Sequence, residues 1–155
     1  MLSDSALLGL PAPAKLNLFL HVVGRRPDGK HLLESVFTLI DLHDTIDLFR
    51  LEEPVVERTG DVIGNVEKDL CVRAARLLME TFDVRSGVRI HVEKRIPAGA
   101  GMGGGSSDAA TVLIGLNRLF GLGLSRSALM ELGERLGADV PFFIFGRTGF
   151  VEGLD

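Results

Sequence analysis

The stretch PAGAGMGGGSSDAA, residues 97–110, puts five glycines into the seven positions from 99 to 105 and follows them with two serines and an aspartate. Glycine loses more conformational freedom on folding than any other residue, so a backbone this bare is kept where the chain must turn through left-handed geometry or meet something closely. After it, Val112, Leu113, Leu116, Leu119 and Phe120 recur at helical spacing. The pattern predicts a helix that opens directly from the loop, with Ser106, Ser107 or Asp108 as its cap. Glycine amides beside the orphan N–H groups and positive end of a helix make an anion cradle, and serine hydroxyls at the junction can bond a phosphate oxygen or a Mg²⁺ ion. A flexible linker is the competing reading, and the apolar elements pressed against both ends of the loop argue against it.

The loop is not a Walker A motif, because no GxxxxGK occurs in the chain. Gly99-Ala-Gly101-Met-Gly103-Gly104 does have the form of a dinucleotide fingerprint. The acidic residue expected about 20 positions further on is absent, however, and a second helix stands where a parallel strand belongs.

The remaining elements follow from periodicity. From Ala14 to Val22, Leu16, Leu18, Leu20 and Val22 alternate with Lys15, Asn17, Phe19 and His21, which predicts a strand with its apolar side on the leucines. GRRPDGKH, residues 24–31, reads as a turn before strands at Ser35–Ile40 and Thr45–Leu51, with a further short strand at Val55–Arg58. Residues 68–82 read as an amphipathic helix, Val88, Ile90 and Val92 as a strand running into Ile96 and Pro97, and Ser125 to Leu136 as a helix stopped by Gly137. The apolar VPFFIF and GFVEG suggest closing strands. Strands lead, a helix intervenes and two helices follow a further strand, so the expected class is α+β: a mixed β-sheet packed by helices, in one domain spanning residues 1–155.

Composition removes several function classes. Seventeen basic against twenty-one acidic residues, with no run of Lys or Arg, speak against nucleic acid as a partner. The small cluster Arg25, Arg26 and Lys30 is interrupted by Pro27, Asp28 and Gly29 and reads as a solvated turn. The single cysteine, Cys71, falls in a helical pattern as a small buried apolar side chain, which suits a reducing compartment. No basic leader or long apolar run is present, so a cytoplasmic chain with no membrane partner is expected. His21, His43 and His91 lack the spacing of a metal site.

Taken together, PAPAKLNLFL, the glycine loop and LGADVPFFIFG resemble the GHMP small-molecule kinases, whose phosphate loop has the form Pro-x-x-x-Gly-Leu-Gly-Gly-Gly-Ser-Ser-x-Ala-Ala. Met102 replaces the leucine, a change of similar volume. The likeness runs from Pro13 to Gly153 with the motifs in family order. It implies the N-terminal domain of that superfamily, with a fold like the second domain of ribosomal protein S5. PAKLNLFLHVVGRRPDGKHLLESVF is similar to the branch that phosphorylates the 2-hydroxyl of 4-diphosphocytidyl-2-C-methyl-D-erythritol in the non-mevalonate isoprenoid route.

The resemblance implies ATP and Mg²⁺ as cofactors. It implies a nucleotide site made by Lys94, Pro97, Gly99, Gly101, Gly103, Gly104, Gly105, Ser106 and Ser107, with Ser106 or Ser107 able to reach Mg²⁺ through Mg-ATP. Asp139 in GADVPFF matches the aspartate that accepts the proton of the substrate hydroxyl, and Lys15 matches its companion lysine. Asn17 and His31 match substrate-side positions, His31 reading the cytosine base, and Asp69-Leu70 stands next to the adenine pocket. The family's Asp-Gly-Tyr-His turn here reads Asp28-Gly29-Lys30-His31, so Lys30 replaces an aromatic stacking platform. A further C-terminal domain is implied as the partner that completes the cleft. Two alternatives stay open: a superfamily kinase for another alcohol, such as homoserine, mevalonate or a sugar, and a module that holds nucleotide without turnover.

Overall fold

The computed structural model describes residues 5–25, 31–99 and 101–146, with residues 17–25 and 31–37 described by their backbone alone. Two long strands, β1 (Ala6–Arg25) and β2 (His31–Leu51), pair antiparallel as a hairpin, so the two strands expected at 35–40 and 45–51 are one. β3 (Val56–Gly60), α1 (Leu70–Thr81) and β4 (Gly87–Glu93) follow. The chain then runs through α2 (Gly104–Leu119), α3 (Arg126–Leu136) and α4 (Val140–Phe145). The sheet order is β1-β2-β4-β3, antiparallel except for the β3–β4 pair, whose parallel pairing requires a crossover that α1 supplies. This is the expected α+β class with a mixed sheet.

One face of the sheet is apolar and the other wet. Along β4, Val88, Ile90 and Val92 are buried beneath the helices. The alternate residues form cross-strand pairs at the open face: Arg89 Nε with Glu57 Oε1 at 2.9 Å, and His91 Nδ1 with Thr59 Oγ1 at 2.8 Å. α1 begins where the Asp69 carboxylate accepts from the N–H of Cys71 (2.8 Å) and Val72 (3.4 Å), and it buries Cys71, Ala74, Ala75 and Leu78.

α2 is the central helix. Twelve of its sixteen residues are buried, which is the behaviour of a helix apolar on nearly all sides. It rests directly on the sheet at Gly115, where a Cβ would come within 2.5 Å of Leu48 Cδ1. Beyond it, Asn117 fixes the connection to α3 by accepting from the Leu124 N–H (2.9 Å) and donating to the Leu124 carbonyl (3.1 Å). α3 is capped by Ser125, which accepts from the Ala128 N–H at 3.1 Å, and ends at Gly137, as the sequence pattern predicts.

VPFFIF is a helix, not the closing strand expected of it. A short apolar run fits either element by pattern alone. Here Pro141 lies in the first turn, where its missing N–H costs nothing, and Val140, Phe143 and Ile144 bury one helical face. GFVEG and the 24–31 turn from Arg26 to Lys30 lie outside the described residues. Among the described residues, no helix is long and apolar enough to cross a membrane.

Candidate active site

The glycine loop forms a wall of a cleft of about 280 Å³ beside the start of α2. Pro97, the five loop glycines and Lys94 all line it, as do Asp69 and Leu70. The cap of α2 is Gly103, in the left-handed region at φ +71° and with no side-chain cap bond, rather than Ser106, Ser107 or Asp108 as expected. A left-handed residue favours glycine at that junction, so the helix starts at Gly104 and the serines fall inside its first turn. The first helical bond runs from the Ser107 N–H to the Gly103 carbonyl at 2.8 Å. The amides of Gly104, Gly105 and Ser106 therefore precede the ladder and face the positive end of the helix dipole. Ser107 is fully buried, and its Oγ has no hydrogen-bond partner among the described residues. An anion with oxygens to share suits such a set of donors.

An ionic cluster borders the cleft at Lys94 and Asp108 and continues into the protein at Asp44. Lys94 Nζ stands 2.8 Å from Asp108 Oδ2 and 2.9 Å from Asp44 Oδ2. Burial, and next the hydrogen bond shared with Asp44, push the Asp108 carboxyl up to about 8 against the pull of Lys94. Burial also acts to raise Asp44. The hydrogen bonds it receives from Asp108, from the Ile96 and Arg95 amides and from Lys94 outweigh that and hold it below the usual carboxylate value. Nothing in the sequence singles out Asp44, and for Asp108 the sequence suggests only a cap. The one sequence signal for Asp44 is a carboxylate, in LHDTID, inside an otherwise strand-like run.

On the other side of the loop, Lys15 and Asp139 meet. Lys15 Nζ is 3.7 Å from Asp139 Oδ2, the lysine buried and the aspartate side chain 44% exposed. Three contacts set this geometry. The Lys15 N–H donates to the Met102 carbonyl at 2.9 Å. A Cβ on Gly103 would lie 3.2 Å from Lys15 Cε and 2.8 Å from the Phe143 ring, so lysine stem and phenyl ring both pack against the bare glycine. Asp139 is the N-cap residue that immediately precedes α4, one turn ahead of Phe143.

Lys15 reaches this place through an irregularity in β1. Pro13 faces His43 but Lys15 faces Leu39, so three residues of β2 oppose Ala14 alone. Ala14 and Lys15 are consecutive and both buried, while Leu16 is 46% exposed, which reverses the polarity expected of this strand. The side chains of Asn17 and His31, and Lys30 entirely, lie outside the described residues. Among the described residues, no group of three or more His, Cys, Asp or Glu is placed to hold a metal ion.

Comparison with known proteins identifies the family of the chain. A family described as GHMP kinases N terminal domain matches residues 69–147. The 4-diphosphocytidyl-2-C-methyl-D-erythritol kinase of Ralstonia pickettii (strain 12J) is 59% identical over 145 residues, covering 93% of this chain and 50% of that protein. The protein of the same name from Polynucleobacter necessarius subsp. necessarius (strain STIR1) is 61% identical over 148 residues, with coverage of 95% and 50%. The crystal structure of a 4-(cytidine 5'-diphospho)-2C-methyl-D-erythritol kinase superposes with a TM-score of 0.75 at 43% identity, over 88% of this chain and 48% of that one. The Methanococcus jannaschii mevalonate kinase, at 14% identity and a TM-score of 0.64 over 90% of this chain and 50% of that one, shares the fold. The chain spans about half the length of the curated relatives it matches.

Proposed function

The chain belongs to the GHMP kinases through their N-terminal domain, and from that membership we propose that it is the ATP-binding domain of a kinase acting on 4-diphosphocytidyl-2-C-methyl-D-erythritol. The observation that carries this reading is the placing of the Lys15–Asp139 pair and the anion cleft on two sides of one residue, Gly103. ATP phosphates would lie against the loop glycines and Pro97, within reach of the amides that precede the α2 ladder. A substrate hydroxyl would approach the exposed Asp139 carboxylate.

In the reaction so arranged, the hydroxyl oxygen of the substrate attacks the γ-phosphorus, its proton passes to Asp139, and the bond from that phosphorus to the ADP oxygen breaks. Phosphoryl transfer asks little covalent chemistry of a protein, so orientation by a carboxylate and charge balance by a neighbouring ammonium form a sufficient set. A bound Mg²⁺ would neutralise phosphate charge, and Ser106 or Ser107 would hold it through a hydroxyl, a hard oxygen donor of the kind that suits it. The names of the relatives support the cytidine-linked substrate, with His31 as the reader of the base and Asn17 beside the substrate. A C-terminal domain completes the substrate side of the cleft, and the ATP requirement suits the cytoplasm.

ADP release from Mg-ATP by the full-length protein tests this. Release that depends on the cytidine-diphosphate methylerythritol is the expected result. Release with homoserine or mevalonate instead would move the assignment within the superfamily, and nucleotide binding with no acceptor would leave a binding module.

A further inference from the structure

Lys94 follows the last residue of β4 and Asp108 lies in α2, so the whole glycine loop runs between them. Their side chains meet at 2.8 Å. The same ammonium meets Asp44 of β2 at 2.9 Å. Asp44 Oδ1 in turn accepts from the N–H groups of Arg95 (2.6 Å) and Ile96 (2.9 Å), the two residues that lead into Pro97. The Lys94 N–H donates to Asp61 Oδ2 at 2.9 Å, just beyond β3. The start and the end of the loop are thereby tied to one another and to the sheet.

An ammonium shared by two carboxyl groups, all largely buried, is a poor source of net stability, since desolvation opposes their attraction. What such a cluster fixes well is geometry, because each member has few alternative partners. The arrangement also bears on charge: an ammonium paired with the Asp44 carboxylate and hydrogen-bonded to the Asp108 carboxyl offers little positive potential to an anion outside the cluster.

We propose that Lys94 is a positioning residue that closes the glycine loop at its two ends, its ammonium engaged by Asp44 and Asp108 rather than by a nucleotide phosphate. This rests on the nucleotide site proposed above for its effect on ATP, while its effect on the loop stands apart from that reading.

The test compares Lys94→Gln with the double variant Lys94→Gln/Asp108→Asn in the full-length protein, by hydrogen exchange of the 95–107 amides and by KM for ATP against kcat. If Lys94 serves to hold Asp108, Lys94→Gln speeds exchange across the loop and raises KM about tenfold or more, and the double variant recovers most of both losses. A double variant as impaired as Lys94→Gln in exchange and in KM overturns the proposal and returns Lys94 to the phosphates.

Should Lys94→Gln fail to fold, Asp44→Asn decides, because Asp44 is fully buried outside the cleft and cannot touch nucleotide. Faster exchange at Arg95 and Ile96, with KM raised more than kcat is lowered, supports the cluster. A folded Asp44→Asn protein with unchanged exchange and KM overturns it. Failure of the wild-type protein to bind ADP would sink the nucleotide reading, and the exchange data would still decide the role of Lys94 in the loop.

Discussion

The Lys15 ammonium and the Asp139 carboxylate stand 3.7 Å apart although one comes from the first strand and the other from the start of the last described helix. Under the proposed function the two groups would attend one substrate hydroxyl, with the 44% exposed aspartate side chain open to it. Asp139→Asn keeps the shape and removes the proton acceptor. Turnover by the full-length protein should fall about 10²–10⁴-fold while ATP affinity stays nearly constant. Equal turnover in the variant would remove Asp139 from the chemistry.

Gly103→Ala should damage both sides of the site at once. The backbone there is left-handed, which costs an alanine roughly 1–2 kcal/mol, and its Cβ would fall 2.8 Å from the buried Phe143 ring. A lowered Tm together with weaker ATP binding is the expected result. A variant of wild-type stability would mean that the ring moves aside freely.

Phe143→Ala separates packing from contact with ligand. The ring is fully buried and touches no cleft surface, so its loss should cost about 3–5 kcal/mol of stability. In the fraction that stays folded, α4 loses its seat against Gly103, and kcat should fall more than ATP affinity. Unfolding in denaturant and steady-state kinetics check the two effects separately.

The raised Asp108 carboxyl makes stability depend on pH. The folded chain keeps its proton up to about 8, whereas the unfolded chain releases it near the ordinary aspartate value of 3.8. Between those values the folded state binds more protons, so stability should decline as pH rises through that window and level off above it. Asp44 is shifted downward and contributes the opposite trend, lost only as pH falls below 3.8. Tm measured from about pH 5 to about pH 8 should therefore fall in the wild type and fall less in Asp108→Asn. Parallel slopes would contradict the raised value.

Lys30 can be tested by restoring the aromatic residue. If Lys30 supports the substrate through one of its phosphates, Lys30→Tyr should change the KM for the cytidine substrate and leave that for ATP alone. An unchanged value for both would deny Lys30 any part in recognition.

Much of this arrangement was legible before any coordinates. Glycine spacing and the apolar stripe from Val112 to Phe120 placed the loop before a helix, and the resemblance pointed to Lys15 and Asp139. The errors share a cause, namely that period and propensity are local. The strand-like pattern around Lys15 holds no hint that three residues of β2 oppose Ala14, or that the consecutive Ala14 and Lys15 are both buried there. VPFFIF lacked the length to distinguish helix from strand until Phe143 and Ile144 found the α2 and α3 surfaces. Asp44 could not be singled out, because its partners, Lys94 and Asp108, are brought to it by the sheet and by α2.

The slip opposite Ala14 makes the spacing between the two long strands a chemical variable. Side chains alternate faces along a strand, so a one-residue change in β1 just ahead of Lys15 would send the ammonium to water and put the Leu16 isobutyl group beneath Gly103. A hydrocarbon would then sit where a cation now meets Asp139. Inserting or deleting one residue near Ala14 leaves the composition of the site untouched and still exchanges its polarity, so natural length variation in this hairpin should be confined to its far end.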